Sequence, residues 1–365
     1  MSGKPGEHGL YSRRDQTGPL PLTGTVVLDL TKMLPGAVMV KTLVDMGARV
    51  IKVEEPTRGD MMRSAPPLVD GVGAGFRAFF QGTESVALDL RMPEGAASVR
   101  ALARHADVVL ESFRAGTLEK WGLGLSQLRA RNSSLVTCSL SSYGNEGPFA
   151  GRLGHDLNFV AITGFLSRLP ADAVLGVQIA DVGAALQATT ALLGALLLRH
   201  RTGRGSHVEQ PLVTGPLPFL TWAMADGRAG GGGVLDTHVA GRVPAYRLYA
   251  CADGRTIALG ALEPKFWASL VEAIGLGHLA GDGLDTGERG RAATAEVAAV
   301  FRSRDAASWQ EMGESLGLPI TVVLSLEEAA RHPWAHALEG HRVPTLGEGT
   351  DRVLAEFGLP GVQGP

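Results

Sequence analysis

Between residues 25 and 140, short apolar runs rich in β-branched side chains alternate with segments of helical spacing, and that alternation leaves few folds open. Residues 25–30 form the first run, 35–46 carry apolar side chains at helical intervals, and Gly47 closes that helix before 49–53 resume a strand pattern. A strand at 85–90 leads into a helix opened by Pro93 and Glu94 that runs to about His105. A strand at 107–110, a helix near 125–129 and a strand at 134–140 follow. Runs this apolar need cover on both faces, so the pattern predicts an α/β fold with a mostly parallel sheet between two layers of helices.

A chain of 365 residues exceeds what one hydrophobic core usually organises, so two domains are expected. Beyond Gly203-Arg204-Gly205 come a short strand, an apolar stretch and a cluster of glycines at 230–233, which places a boundary near there. Residues 246–259, interrupted by Ala252-Asp253-Gly254, have the form of a β-hairpin, and helices follow to about Leu316. The domain expectation is a disordered arm at 1–22, a large domain at 23–225 and a smaller mixed α/β domain at 226–330.

With 45% apolar and 19% charged residues and a formal charge of −3, the chain has no basic footprint, so neither nucleic acid nor a membrane surface is an expected partner. The two cysteines, Cys138 and Cys251, are too few for a disulfide framework or a cysteine-based zinc site, which points to a reducing cytoplasm. The first 24 residues lack the apolar core of a signal peptide. The most apolar stretch, 182–198, is short for a bilayer span, contains Gln187, Thr189 and Thr190, and is expected to be a buried helix.

Common motifs are missing. Gly71-Val72-Gly73-Ala74-Gly75 has neither the glycine spacing of a dinucleotide fingerprint nor a strand before it, and reads as a loop. His332 and His336 lie one helical turn apart without a third ligand, so no metal site is expected. Asp181, just ahead of the apolar helix, has the position of an N-cap, and a carboxylate at a helix start beside Gly183 can also face a substrate. Amides at the same helix end suit an oxyanion. His155, in Gly154-His155-Asp156 after a turn-rich run, is either a loop residue bonded to the backbone or an acid/base group. Glu263, after a strand of the smaller domain, is either a solvated loop residue or an acceptor for an imidazole ring hydrogen.

Taken together, the chain resembles the family III CoA transferases, and within them the α-methylacyl-CoA racemases. The resemblance rests on 25–30, on 43–54 (Leu43-Val44-Asp45-Met46-Gly47-Ala48-Arg49-Val50-Ile51-Lys52-Val53-Glu54), on Leu88-Asp89-Leu90 and on Glu111-Ser112-Phe113-Arg114-Ala115-Gly116. Trp121-Gly122-Leu123-Gly124, Gly154-His155-Asp156-Leu157-Asn158-Phe159 and the segment 199–205 add to it. It implies a Rossmann-like large domain, a smaller domain, a return of 331–365 to the large one, and an interlocked homodimer. It also implies acyl-CoA as substrate with no separate cofactor. Arg114 and Lys120 would then lie near the CoA phosphates, Phe113 and Ser112 by the nucleotide, and Lys52 nearby. In the racemase branch His155, supported by Glu263, and Asp181 exchange the α-proton on opposite faces. In the transferase branch the Asp181 carboxylate attacks the thioester to give an anhydride. A non-catalytic acyl-CoA binder is a third reading.

Overall fold

The computed structural model describes residues 18–332, 335 and 342–361. The expected arm therefore lies, up to residue 17, outside the described residues, while Leu22 is already packed into the core. Two compact units are present: one takes the chain up to Pro218 and from 336 onward, the other is Phe219–Ala335.

The first unit runs β1 (Val26–Leu30), α1 (Met33–Asp45), β2 (Arg49–Glu54), a small hairpin of β3 (Leu68–Val69) and β4 (Val72–Gly73), α2 (Ala74–Phe80) and β5 (Glu84–Ala87). It continues with α3 (Pro93–Leu102), β6 (Val108–Glu111), α4 (Thr117–Lys120), α5 (Leu125–Arg131), β7 (Val136–Ser141), α6 (Asp156–Ile162), α7 (Ile179–Thr202) and β8 (His207–Pro211). The tract 71–75, expected as a loop, is instead divided between the β3–β4 hairpin and the start of α2.

Six strands form one sheet in the order β5-β2-β1-β6-β7-β8, with every adjacent pair parallel. Successive side chains leave a strand on opposite faces. Val27, Val108 and Leu110 accordingly join Met39, Leu43 and Leu192 in a core under α1 and α7. Leu28, Leu30 and Val109 join Val99, Leu102 and Leu128 under α3 and α5 on the other face.

α8 (Leu217–Arg228) follows, and then the second unit folds β9 (Tyr246–Ala250) and β10 (Thr256–Gly260) as the expected hairpin, with α9 (Pro264–Ala273), α10 (Glu288–Phe301), α11 (Ala306–Leu316), β11 (Ile320–Val322) and α12 (Leu326–Ala330). Its antiparallel sheet, β11-β10-β9, packs on Trp267, Phe301 and Trp309. Gly230 to Gly233 follow α8 within this unit. In the first unit α13 (Thr350–Glu356) buries Val353 and Leu354 beside β5 strand residue Val86.

A buried ionic cluster ties β1 to β2. Lys52 Nζ lies 3.1 Å from Asp29 Oδ2, 3.1 Å from Asp60 Oδ2 and 4.2 Å from the centre of the Phe80 ring, and only 1% of the lysine is exposed. This corrects the expectation that Lys52 helps to bind CoA: a cation sealed between two carboxylates has neither a path to solvent nor spare charge for a ligand. Removing one member of a buried ionic set strands the others at a cost of about 3–5 kcal/mol. Lys52→Ala is therefore expected to lower the urea midpoint by a loss of that order, which denaturant titration checks; an unchanged midpoint would contradict the burial argument.

Candidate active site

Chain order in the sheet reverses between β1 and β6: β2 and β5 build outward on one side, β7 and β8 on the other. Loops leaving the carboxyl ends of adjacent strands then diverge and leave a crevice, the usual ligand site of open parallel sheets. Here a cleft of about 460 Å³ opens there, lined by Lys32 and Pro35 after β1, by 112–115 after β6, by 140–145 at the end of β7, and by His155, Phe159 and Asp181. Folding thus brings His155 and Asp181 to one cavity.

Their placement has a local cause. His155 is the N-cap of α6 and is exposed; its backbone N–H donates to Asn158 Oδ1 at 3.0 Å. Gly154 lets the loop pass so close to the aromatic pair Tyr143–Phe159 that a Cβ there would sit 2.8 Å from the Phe159 ring and 2.9 Å from the Tyr143 hydroxyl. The next residue, Asp156, is buried, and its Oδ1 accepts the amide hydrogens of Ala180 at 2.7 Å and Asp181 at 2.9 Å. That oxygen satisfies two of the unpaired donors at the start of α7 and fixes the Asp181 backbone against the residue that follows His155. Gly215 completes the seat: a Cβ there would lie 2.0 Å from the Ala180 carbonyl oxygen.

Asp181 is therefore not the N-cap. Gln178 occupies that position, and Asp181 stands in the first turn with the capping done by Asp156 from another helix. Its own side chain is left for the cleft. Burial is the main cause that pushes the Asp181 carboxyl up to about 6, the negative charge of Asp156 adds to it, and His155 opposes it. The positive end of a helix dipole favours an anion at this position, but it does not overcome the loss of water.

Ser112, Phe113 and Arg114 also line the cleft. The Ser112 hydroxyl oxygen accepts from the Lys32 amide at 2.9 Å, the Lys32 ammonium sits 5.1 Å over the Phe113 ring, and Trp121 meets that ring edge-on at 5.3 Å. Phe113 and Lys32 extend into a smaller cleft of about 170 Å³ shared with Glu55, Arg58, Arg91 and Trp121. Lys120 is not brought there: it ends α4, exposed, outside both linings. Glu263 is the exposed N-cap residue of α9 in the second unit. No group of three or more His, Cys, Asp or Glu side chains arranged to hold a metal occurs among the described residues, and His336 lies outside them.

Sequence reasoning missed Asp156, which it treated as the flank of His155, and Lys32, Arg58 and Arg91, which carry no motif. The only signal for Asp156 was an acid in the first turn of a short helix, and that pattern does not name a partner 25 residues away.

Residues 22–358 match the sequence profile of CoA-transferase family III. The chain belongs to this family. It is 29% identical to the α-methylacyl-CoA racemase of Homo sapiens across 93% of this chain and 94% of that protein. To the succinate–glutarate CoA-transferase of Agrobacterium fabrum it is 31% identical, across 94% and 88%. A crystal structure of a CAIB/BAIF family protein from Brucella suis superposes with a TM-score of 0.80 at 28% identity, covering 93% of this chain and all of that one. Racemases and transferases are thus both among the relatives of this family III enzyme.

The raised Asp181 has a consequence for stability. Between the ordinary aspartate value of 3.8 and about 6 the folded chain holds a proton that the unfolded chain has lost, so stability falls as pH rises through that window. Asp181→Asn removes the charged form, and a gain of about 1–2 kcal/mol at pH 7, shrinking toward pH 4, is expected. Thermal melts of both proteins across that range check it, and equal melting temperatures at pH 7 would refute it.

Proposed function

We propose that this enzyme inverts the α-carbon of 2-methyl-branched acyl-CoA thioesters by two-base proton transfer between His155 and Asp181. The observation that carries this reading is that an imidazole and a carboxylate line one cleft and are linked through Asp156, which follows one and holds the backbone of the other. A proton beside a thioester carbonyl is acidic enough for such groups when the enolate oxygen is stabilised where it forms. One group takes the proton from one face, a planar enolate results, and the other group returns a proton to the opposite face.

An aspartate with a value near 6 suits both roles, being mostly ionised at neutral pH yet only about one unit below it. Ser112, Phe113 and Arg114 would hold the CoA moiety, with Arg114 the natural phosphate partner because its guanidinium matches two phosphate oxygens at once. In this reading CoA arrives as part of the substrate and no further cofactor takes part. The two free, buried cysteines accord with a cytoplasmic enzyme.

A homodimer belongs to the same proposal. The helix expected to be buried, α7, leaves Leu186, Leu197 and Leu198 about half exposed along one side, together with Thr190, Ala191 and Gly194. A strip of that composition on a core helix fits a contact with a second copy. Light scattering should give twice the 38.2 kDa chain mass; a monomer at micromolar concentration would sink this part.

A second reading, CoA transfer between carboxylic acids through an acyl-Asp181 anhydride, is favoured by the transferase among the relatives. Incubation of 2-methylacyl-CoA thioesters in D₂O separates the two. Racemisation places deuterium at the α-carbon without any second acid, whereas transfer needs an acceptor and leaves an Asp181 adduct that hydroxylamine traps. His155→Ala and Asp181→Asn are each expected to slow exchange by about 10²–10⁴. Acceptor-dependent CoA movement without exchange would reverse the ranking.

In the direction in which Asp181 is the base, exchange should rise as pH passes about 6. Asp156→Asn keeps the oxygen acceptor but removes the charge that helps raise Asp181, so the acid limb of the rate profile should move to lower pH. A limb that stays in place, or moves up, would show that Asp156 does not raise this carboxyl.

A further inference from the structure

β6 ends at Glu111, and the next four residues, 112–115, wall the cleft that holds His155 and Asp181. The same wall has another side. A second pocket of about 300 Å³ lies behind it, lined by Phe113, Arg114 and Ala115 and also by Glu111, Thr137 and Ser139. Glu111 and Ser139 are paired across the parallel strands β6 and β7, so their side chains leave the same face of the sheet. Glu111 is buried, with one carboxylate oxygen, Oε2, accepting the Phe113 amide hydrogen at 2.7 Å and the other accepting the Ser139 hydroxyl. One side chain thus spans from a rigid neighbouring strand to the backbone of the cleft wall.

We propose that Glu111 is a positioning residue, holding the wall Ser112-Phe113-Arg114 against the sheet so that Phe113 and Arg114 present a preformed surface to CoA. The proposal rests on the reading of the cleft as an acyl-CoA site. Arg114, exposed and outside any helix or strand, is tied on both sides: its carbonyl accepts the Thr117 amide hydrogen at 3.0 Å, and the Phe113 amide just before it is held by Glu111. Fastening before binding removes an ordering cost from the affinity.

The fastening depends on charge. A carboxylate accepts a backbone amide more strongly than a neutral acid does. Burial, reinforced by Glu119 of α4 and Glu209 of β8, pushes the Glu111 carboxyl up to about 6, against the bonds from Ser139 and Phe113 that hold it down. Arg114 on the wall, Arg129 of α5 and His207 of β8 line the same pocket, and Cys138 of β7 is raised partly by Glu111. The grip on Phe113 is then strong well above pH 6, half lost near it and weak below it.

Calorimetric titration with CoA from pH 5 to pH 8, on the full chain and on Glu111→Gln, tests this. Glutamine copies the shape of the neutral acid, and the titrations of Asp181 and of the CoA phosphates are common to both proteins and cancel in the ratio of their dissociation constants. That ratio is expected to be about 5-fold at pH 8, with the variant weaker, and to fall within about 2-fold at pH 5. A ratio constant across pH overturns the proposal, and so does tighter binding by the variant at pH 8, which would make Glu111 a repelling charge only. Absence of CoA binding by the parent chain overturns the functional reading and this inference with it. The ¹⁵N–¹H signal of the Phe113 amide, followed in the unsubstituted chain, should shift with a midpoint near pH 6; a signal that does not move overturns the proposal even if the variant fails to fold.

Discussion

One oxygen of Asp156 accepts two amide hydrogens at the start of α7, and the geometry of the cleft follows from that contact. α6 and α7 are separated in sequence by residues 163–178, much of them irregular and exposed, which by themselves would let the two helix starts move independently. Holding the Ala180 and Asp181 amides from the residue next to His155 turns a loose connection into a fixed spacing. A buried carboxylate is costly unless hydrogen-bonded, and these two donors compensate it while meeting their own need for an acceptor.

The same contact has an electrostatic side. A second acid placed this close, in a site short of water, disfavours the charge on Asp181. Stability at neutral pH is reduced by this burial, and in the proposed mechanism the same carboxyl exchanges protons near neutrality, a compromise common where buried acids do chemistry. Lys52 illustrates the opposite use of burial. Two carboxylates surround that cation, it stays charged, and the cluster serves to lock β2 to β1 beneath the loops that open the cleft.

The layered core explains why the cleft sits where it does. Val27 and Leu28, adjacent in sequence, enter different cores on the two faces of the sheet, so both faces are sealed and only the strand ends are open to a ligand. Between β1 and β6 the connections part, and Lys32, Met33 and Pro35 line the cleft together with 112–115. The strand and helix pattern of residues 25–140 was legible because each run had to satisfy a local period of two or 3.6. Ser139 was visible as a member of a strand and Glu111 as the residue that follows one, but nothing in a single run of residues reveals that they stand side by side. Lys52 was misread for a related reason: a lysine near a strand end looks the same in sequence whether it meets a phosphate or two buried aspartates.

By itself the sequence determined the alternation that makes a parallel sheet, the hairpin of the second unit, the family, and the two residues, His155 and Asp181, on which the chemistry is proposed to turn. These are properties of short periods and of residue types in fixed local order. The tertiary structure alone decided that Asp181 is capped by Asp156 and not itself a cap, that Lys52 is sealed away, that α7 keeps an exposed apolar side, and that Phe113 is fastened by Glu111. Each of those depends on which distant group fills the space beside a side chain, and on how much water that group displaces.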